Sequence, residues 1–172
     1  MFDELQLDFV ADFNVDTLAF NDAGPQVQAY CTTSTSTNGC TPSIAGTGTP
    51  SASAGSGFTI SVNALEGQKS GIIFYGIDNS GWVPIPWAVG STSYLCVKPP
   101  VQRTTSQGSG GTAGQCDGTL SLDWNAFIAA NPGVLGTPYA GGETVFAQGW
   151  FRDPPAPKTT NLSDALEFDV AP

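Results

Sequence analysis

Two tryptophans, Trp82 and Trp87, stand in the stretch Gly81-Trp82-Val83-Pro84-Ile85-Pro86-Trp87, where prolines stiffen the backbone that carries them. Aromatic side chains on a rigid loop lose little entropy on binding, and flat rings of this kind can stack against sugar rings. Tyr75 and Tyr139 are candidates to extend such a platform. The competing reading is a hydrophobic plug over the open end of a β-sandwich. It is the favoured one, because large aromatics in Pro-rich loops usually bury most of their area. Arg103 and Arg152 are two of only five cations in the chain. Arg152 lies between Phe151 and Asp153, which favours a structural guanidinium tying strand-end carbonyls to a carboxylate such as Asp153 or Asp164. The functional alternative is contact with an anion or a sugar acid, so Trp82, Trp87, Arg103 and Arg152 are the candidate ligand-binding residues.

Catalytic chemistry finds little to use. There is no histidine, which removes the usual general base, the imidazole metal ligand and any Ser-His triad. No serine stands in a GxSxG elbow, and Lys69-Ser70 alone is too little for a Ser-Lys dyad. Fifteen acids allow many carboxylate pairs, yet no spacing or aromatic cradle singles out two of them for glycoside hydrolysis. No catalytic residue is therefore expected, and a hydrolase is the least favoured reading. Asp12-Phe13-Asn14-Val15-Asp16 matches the first ligand positions of a calcium loop, DxNxD. The pattern then fails, with Thr17 at the glycine turn and Ala23 at the final acidic ligand. No metal or cofactor is expected, although a cation site assembled from distant acids such as Asp153 and Asp164 stays open.

The four cysteines, Cys31, Cys40, Cys96 and Cys116, lack basic neighbours that would stabilise a thiolate, and none falls in a CxxC. Two disulfides are the natural reading, with an oxidising compartment as consequence. Their order suggests the local pairs Cys31–Cys40 and Cys96–Cys116 among the three pairings that four cysteines allow.

The elements that position these residues read as strands. Gly (21) and Pro (13) are abundant among 172 residues and charged residues make up only 12%, so turns are many and helical surface scarce. The length suits one domain with a real core. The net charge of −10 disfavours nucleic acid and anionic membrane as partners, since both need a basic footprint, and neither is expected. The first residues, Met1-Phe2-Asp3-Glu4, lack the basic start of a secretory signal, and no apolar run approaches a membrane span. If the protein is secreted, the chain is expected to be a mature form or an excised domain.

Residues 5–15 alternate apolar and mainly polar side chains, the pattern of a strand with one dry and one acidic face. Residues 1–25 are read as an acidic N-terminal strand or linker, and residues 26–172 as the disulfide-bearing domain. Strands are expected over 27–31, 58–64, 71–77, 92–98, 119–124 and 143–152, with a closing strand near 166–170 and a short one near Ser43-Ile44-Ala45. In 143–152, Val145, Ala147 and Phe151 face one way and Thr144, Phe146, Gln148 and Trp150 the other, so both faces should be covered. The prolines of 82–87 should keep that stretch out of any sheet. Long Ser/Thr/Gly excursions fill 32–57 and 104–118. Asp123 or Ser121 should cap one short helix containing Trp124, Phe127 and Ile128, ended by Asn131-Pro132-Gly133. Asn161-Leu162-Ser163 is a glycosylation sequon that is better read as a cap and turn. The expected fold is all-β: an antiparallel β-sandwich of about eight or nine strands with long loops and one short helix.

Five stretches, in this order, carry a family resemblance: TNGCTPSIAGTGTPSAS (37–53), SGIIFYG (70–76), LCVKPPVQRT (95–104), SGGTAGQCDGTLSLDWNAF (109–127) and WFRDPPAPKTTNLSDALEF (150–168). They resemble a β-rich domain found at or near the C-terminus of large secreted and cell-surface proteins of planctomycete-type bacteria, a group with no agreed activity. The resemblance spans residues 30–170 and implies an extracellular, disulfide-bearing β-domain appended to other modules, secreted or on the cell surface. The expected role is a non-catalytic module for surface attachment, display or carbohydrate contact, whose partner is a glycan or another cell-surface protein. The alternative is an assembly subunit whose strand 5–15 completes a neighbour's sheet.

Overall fold

Residues 26–172 are described by the computed structural model; the strand read over 5–15, the DxNxD segment and the self-association assigned to them lie outside the described residues. In chain order the strands are β1 (Val27–Tyr30), β2 (Ser43–Gly48), β3 (Phe58–Leu65), β4 (Ser70–Gly76), β5 (Ile85–Pro86), β6 (Tyr94–Leu95), β7 (Gln102–Arg103), β8 (Gln107–Gly108), β9 (Gly118–Asp123), β10 (Thr144–Arg152) and β11 (Thr160–Asp169). Helix α1 (Trp124–Ala130) follows β9, and a 3-10 turn (Pro157–Thr159) joins β10 to β11. The strands outnumber the expected eight or nine because β5, β7 and β8 are two-residue pairings within stretches read as loops.

The larger sheet has the order β1-β11-β10-β4, with β7 and β8 lying successively along the far edge of β4. The smaller sheet is β2-β3-β9, and β5 pairs with β6 in a separate arm. All these strand pairings are antiparallel, so the fold is all-β and sandwich-like with one short helix. Apolar side chains at alternate positions fill the space between the sheets: Phe58, Ile60 and Val62 from β3, Ile73 and Tyr75 from β4, Val145, Ala147 and Phe151 from β10, and Leu166 and Phe168 from β11. The Asp123 carboxylate accepts the Ala126 N–H at 3.0 Å and starts α1, which lays Trp124 and Ile128 into the same core.

A second, smaller cluster covers the opposite face of the larger sheet. Phe74, Val97 and Leu162 form its buried centre, with Trp87, Leu95, Val101, Phe146 and Trp150 packed around them. The loop between β4 and β7 folds back over the sheet to supply Trp87, Leu95, Val97 and Val101. The outward set expected on 143–152 therefore meets this roof, and the strand is covered on both sides.

Strand β11 is longer than the closing strand expected at 166–170. Its first residues, Thr160, Asn161 and Ser163, are polar yet buried. Their hydrogen bonds make that burial tolerable. Asn161 Nδ2 donates to Asp153 Oδ2 at 3.0 Å, and the Ser93 hydroxyl donates to Asn161 Oδ1 at 2.6 Å. Asn161 is thus a strand residue inside a polar network, and neither a cap nor an accessible sequon. An extra residue in β11, between the pairs Gln148–Ala165 and Trp150–Leu162, shifts the register. Leu162 would otherwise share the face of Leu166; the bulge turns it into the outer cluster. Opposite the bulge sits Gly149, where an added Cβ would lie 2.7 Å from Val62 of the facing sheet.

Gln148 fastens the roof to the sheet. Its side chain is fully buried, donates to the carbonyls of Tyr94 (2.8 Å) and Ser163 (2.7 Å), and accepts the Cys96 N–H at 3.1 Å. Gln148→Leu preserves much of the volume but strands all three backbone groups. The expected loss is about 2–3 kcal/mol in urea unfolding. A loss below about 0.5 kcal/mol would show that the roof is held by apolar packing alone.

Two expectations need correction. The disulfides are Cys31–Cys96 and Cys40–Cys116, interleaved in place of the local pairs. Strands β2 and β9 both run antiparallel to β3, so Ser43 opposite Asn63 and Gly118 opposite Leu65 bring their preceding loops to one end of the small sheet. That juxtaposition joins Cys40 to Cys116. Cys96 comes beside the end of β1 because the roof crosses the sheet there, with the Tyr30 hydroxyl donating to the Cys96 carbonyl at 3.0 Å. The second correction concerns 82–87 and 92–98. Ile85–Pro86 does enter a ladder, as one side of a two-residue arm, while only Tyr94–Leu95 of 92–98 is strand. A short exposed arm tolerates proline because it has no second neighbour to pair with.

Candidate functional site: a cation-rimmed aromatic groove

Beside the outer cluster the roof stops short, leaving an open groove of about 850 Å³ on the face of the larger sheet. Ile72 and Phe74 of β4 and Trp150 of β10 line it from the sheet. Trp87, Leu95, Pro99 and Val101 line it from the roof, and Arg103, Thr104, Ser106, Arg152, Lys158 and Thr160 complete the lining. The alternation of β4 and β10 places these sheet residues there, since Ile73 and Phe151 turn to the main core. Among the described residues no carboxylate is part of the lining.

Trp87 is fixed at both ends of its side chain. Its Nε1–H donates to the Thr160 hydroxyl at 2.9 Å. The Lys158 ammonium lies over its ring, 4.4 Å from the centroid, and donates to the Trp87 carbonyl. Trp150 is half-buried on the sheet. The wall behind the groove rests on the buried network: Asp153 Oδ2 accepts the Thr37 N–H at 2.9 Å as well as Asn161 Nδ2, linking the 31–42 loop to the β10–β11 turn.

Charge pairing divides the five cations in two. Lys69 pairs with Glu66 at 3.2 Å and Lys98 with Asp78 at 2.6 Å. The hydrogen bond from Lys98, supported by Ser80, holds the Asp78 carboxyl well below the usual carboxylate range. Arg103, Arg152 and Lys158, the cations of the groove, form no ion pair among the described residues. All three are exposed, and among the described residues Arg152 reaches only the Thr159 hydroxyl, at 3.3 Å. The tie from Arg152 to Asp153 or Asp164 is therefore absent. Asp153 is taken up by Thr37 and Asn161, and Asp164 accepts the Ile44 N–H at 2.7 Å. Burial pushes the Asp164 carboxyl above its ordinary value, and the Ile44 N–H offsets this only in part. Among the described residues no group of three or more His, Cys, Asp or Glu is placed to hold a metal ion.

Of the four candidate ligand residues, Trp87, Arg103 and Arg152 come together here, and Trp82 does not. Trp82 is half-buried in the roof, with its indole N–H on the Leu95 carbonyl at 3.3 Å. Tyr75 and Tyr139 extend no platform either. Both pack on Trp124 and donate to the Leu135 carbonyl, and burial raises the Tyr75 hydroxyl to about 12. Trp150, Phe74 and Lys158 were not singled out by the sequence as ligand residues. The apolar outward face of 143–152 was the available signal, and it reads equally well as core. No protein-family model, curated protein or solved structure matches the chain.

Proposed function

We propose that this is a non-catalytic extracellular β-sandwich module that contacts carbohydrate through the groove. The observation that carries the reading is an indole floor and wall, open to solvent and rimmed by cations that form no ion pair among the described residues. Sugar rings present apolar faces to aromatic surfaces and hydroxyls to polar rims, and fixed indoles lose little entropy on contact. Among the described residues the lining offers no acid–base pair, which supports binding over hydrolysis. Two disulfides and an all-β fold suit an oxidising environment, and among the described residues no helix is long and apolar enough to cross a membrane. Secretion or display at a bacterial cell surface, as the resemblance to planctomycete-type domains implies, belongs to the same proposal.

The test is affinity electrophoresis in gels containing defined polysaccharides, comparing the natural chain with Trp150→Ala. Retardation by at least one polymer, reduced about tenfold or more in affinity by the substitution, is expected from the loss of one stacked ring and its buried area. Absence of retardation across neutral and acidic polymers alike contradicts the proposal.

A further inference from the structure

We infer that the groove takes an anionic polysaccharide, a chain bearing uronate carboxylates or sulfate esters. The inference rests on the carbohydrate reading above and adds the ligand's charge. In a chain of net charge −10, three of the five cations converge on one groove. The two elsewhere are the two that carboxylates neutralise. An overall negative field repels an acidic ligand at long range, and screening confines that repulsion to roughly 10 Å at 0.1 M salt. The local guanidinium groups, which form no ion pair among the described residues, then decide the contact. Guanidinium groups bind carboxylate and sulfate oxygens through paired N–H donors, a geometry an ammonium lacks.

The arrangement favours a polymer over a single small anion. Arg103 lies opposite Phe74 on one side of β4, and Arg152 follows the pair Phe151–Gly71 on the other. Strand geometry then sets their backbones about 15 Å apart. Lys158 sits over Trp87 near the Arg152 end. Positive charge is therefore spread along an aromatic floor, which suits a chain repeating both sugar rings and acidic groups. The volume, at the upper end of single-ligand pockets, agrees.

The test measures affinity of the full chain for polymers matched in backbone and differing in charge: polygalacturonate against its methyl ester, and dextran sulfate against dextran. Poly-glutamate is the acidic polypeptide control. The acidic member of at least one pair is expected to bind about tenfold or more tightly than its neutral partner, with affinity falling as salt rises. Arg103→Gln and Arg152→Gln, both at exposed positions, are each expected to cost about tenfold on the acidic polymer, while Lys69→Gln outside the groove costs little. Equal binding of both members of each pair overturns the inference and leaves the carbohydrate reading standing. Binding of none of the polymers overturns both. Poly-glutamate binding as tightly as the acidic glycans would assign the groove to acidic peptide and overturn the inference.

Discussion

Replacing Cys40 and Cys116 together by alanine is expected to lower the unfolding free energy by about 4 kcal/mol. The bridge spans 76 residues of sequence, so it removes far more freedom from the unfolded chain than a local pair would. It also fastens the tip of the 104–118 excursion, whose flanks are held by the β8–β4 pairing and by bonds such as Gly67 N–H to the Gln115 carbonyl (2.8 Å), Gln68 N–H to the Gly110 carbonyl (2.7 Å) and the Ser109 hydroxyl to the Glu66 carbonyl (2.9 Å). Urea unfolding of the double variant measures the loss, and proteolytic mapping of the unreduced chain should recover linked peptides holding Cys31 with Cys96 and Cys40 with Cys116. A loss under about 1 kcal/mol would mean that the unfolded chain is already restricted at these loops.

Trp124→Ala is expected to cost about 3–5 kcal/mol, comparable to a whole disulfide. Trp124 is fully buried at the start of α1 and meets three rings edge-on: Tyr139 and Phe168 at 5.1 Å between centroids, and Tyr75 at 6.2 Å. It joins the helix to both the larger sheet and the 131–143 loop, so an alanine opens a cavity that no neighbour can fill. Trp124→Phe separates the causes. Its indole N–H has no acceptor among the described residues, and phenylalanine removes that donor while keeping a ring in place. The phenylalanine variant should therefore lose clearly less than the alanine one. Equal losses would assign the stability to the indole's shape instead of to aromatic packing in general.

Much of the architecture was legible because it is written in local alternation. Val145, Ala147 and Phe151 against Phe146, Gln148 and Trp150 foretold a strand covered on both sides, and Asp123 before Trp124 foretold the helix start. Alternation failed where burial is polar. Thr160, Asn161 and Ser163 read as a loop because their burial depends on partners such as Asp153, Ser93 and Gly149, remote or hidden behind a bulge. The cysteine pairing escaped for a related reason. Proximity in sequence favours local bridges, whereas the shared direction of β2 and β9 about β3 decides the contact. The groove was half visible. Trp87, Arg103 and Arg152 stood out as unusual residues in a chain poor in cations, but their convergence depends on β7, β4 and β10 lying side by side. Trp82 stood out, like Trp87, as an aromatic on a Pro-stiffened loop and ended in the roof.

The groove itself is tested most directly by the four tryptophan indole N–H signals in a 1H–15N NMR spectrum during titration with an oligomer of polygalacturonate. Signals of Trp87 and Trp150 should shift progressively to saturation, with those of Trp124 in the core and Trp82 in the roof unmoved. Shifts confined to Trp82, or no indole shift at saturating oligomer, would contradict a binding surface on this face of the sheet.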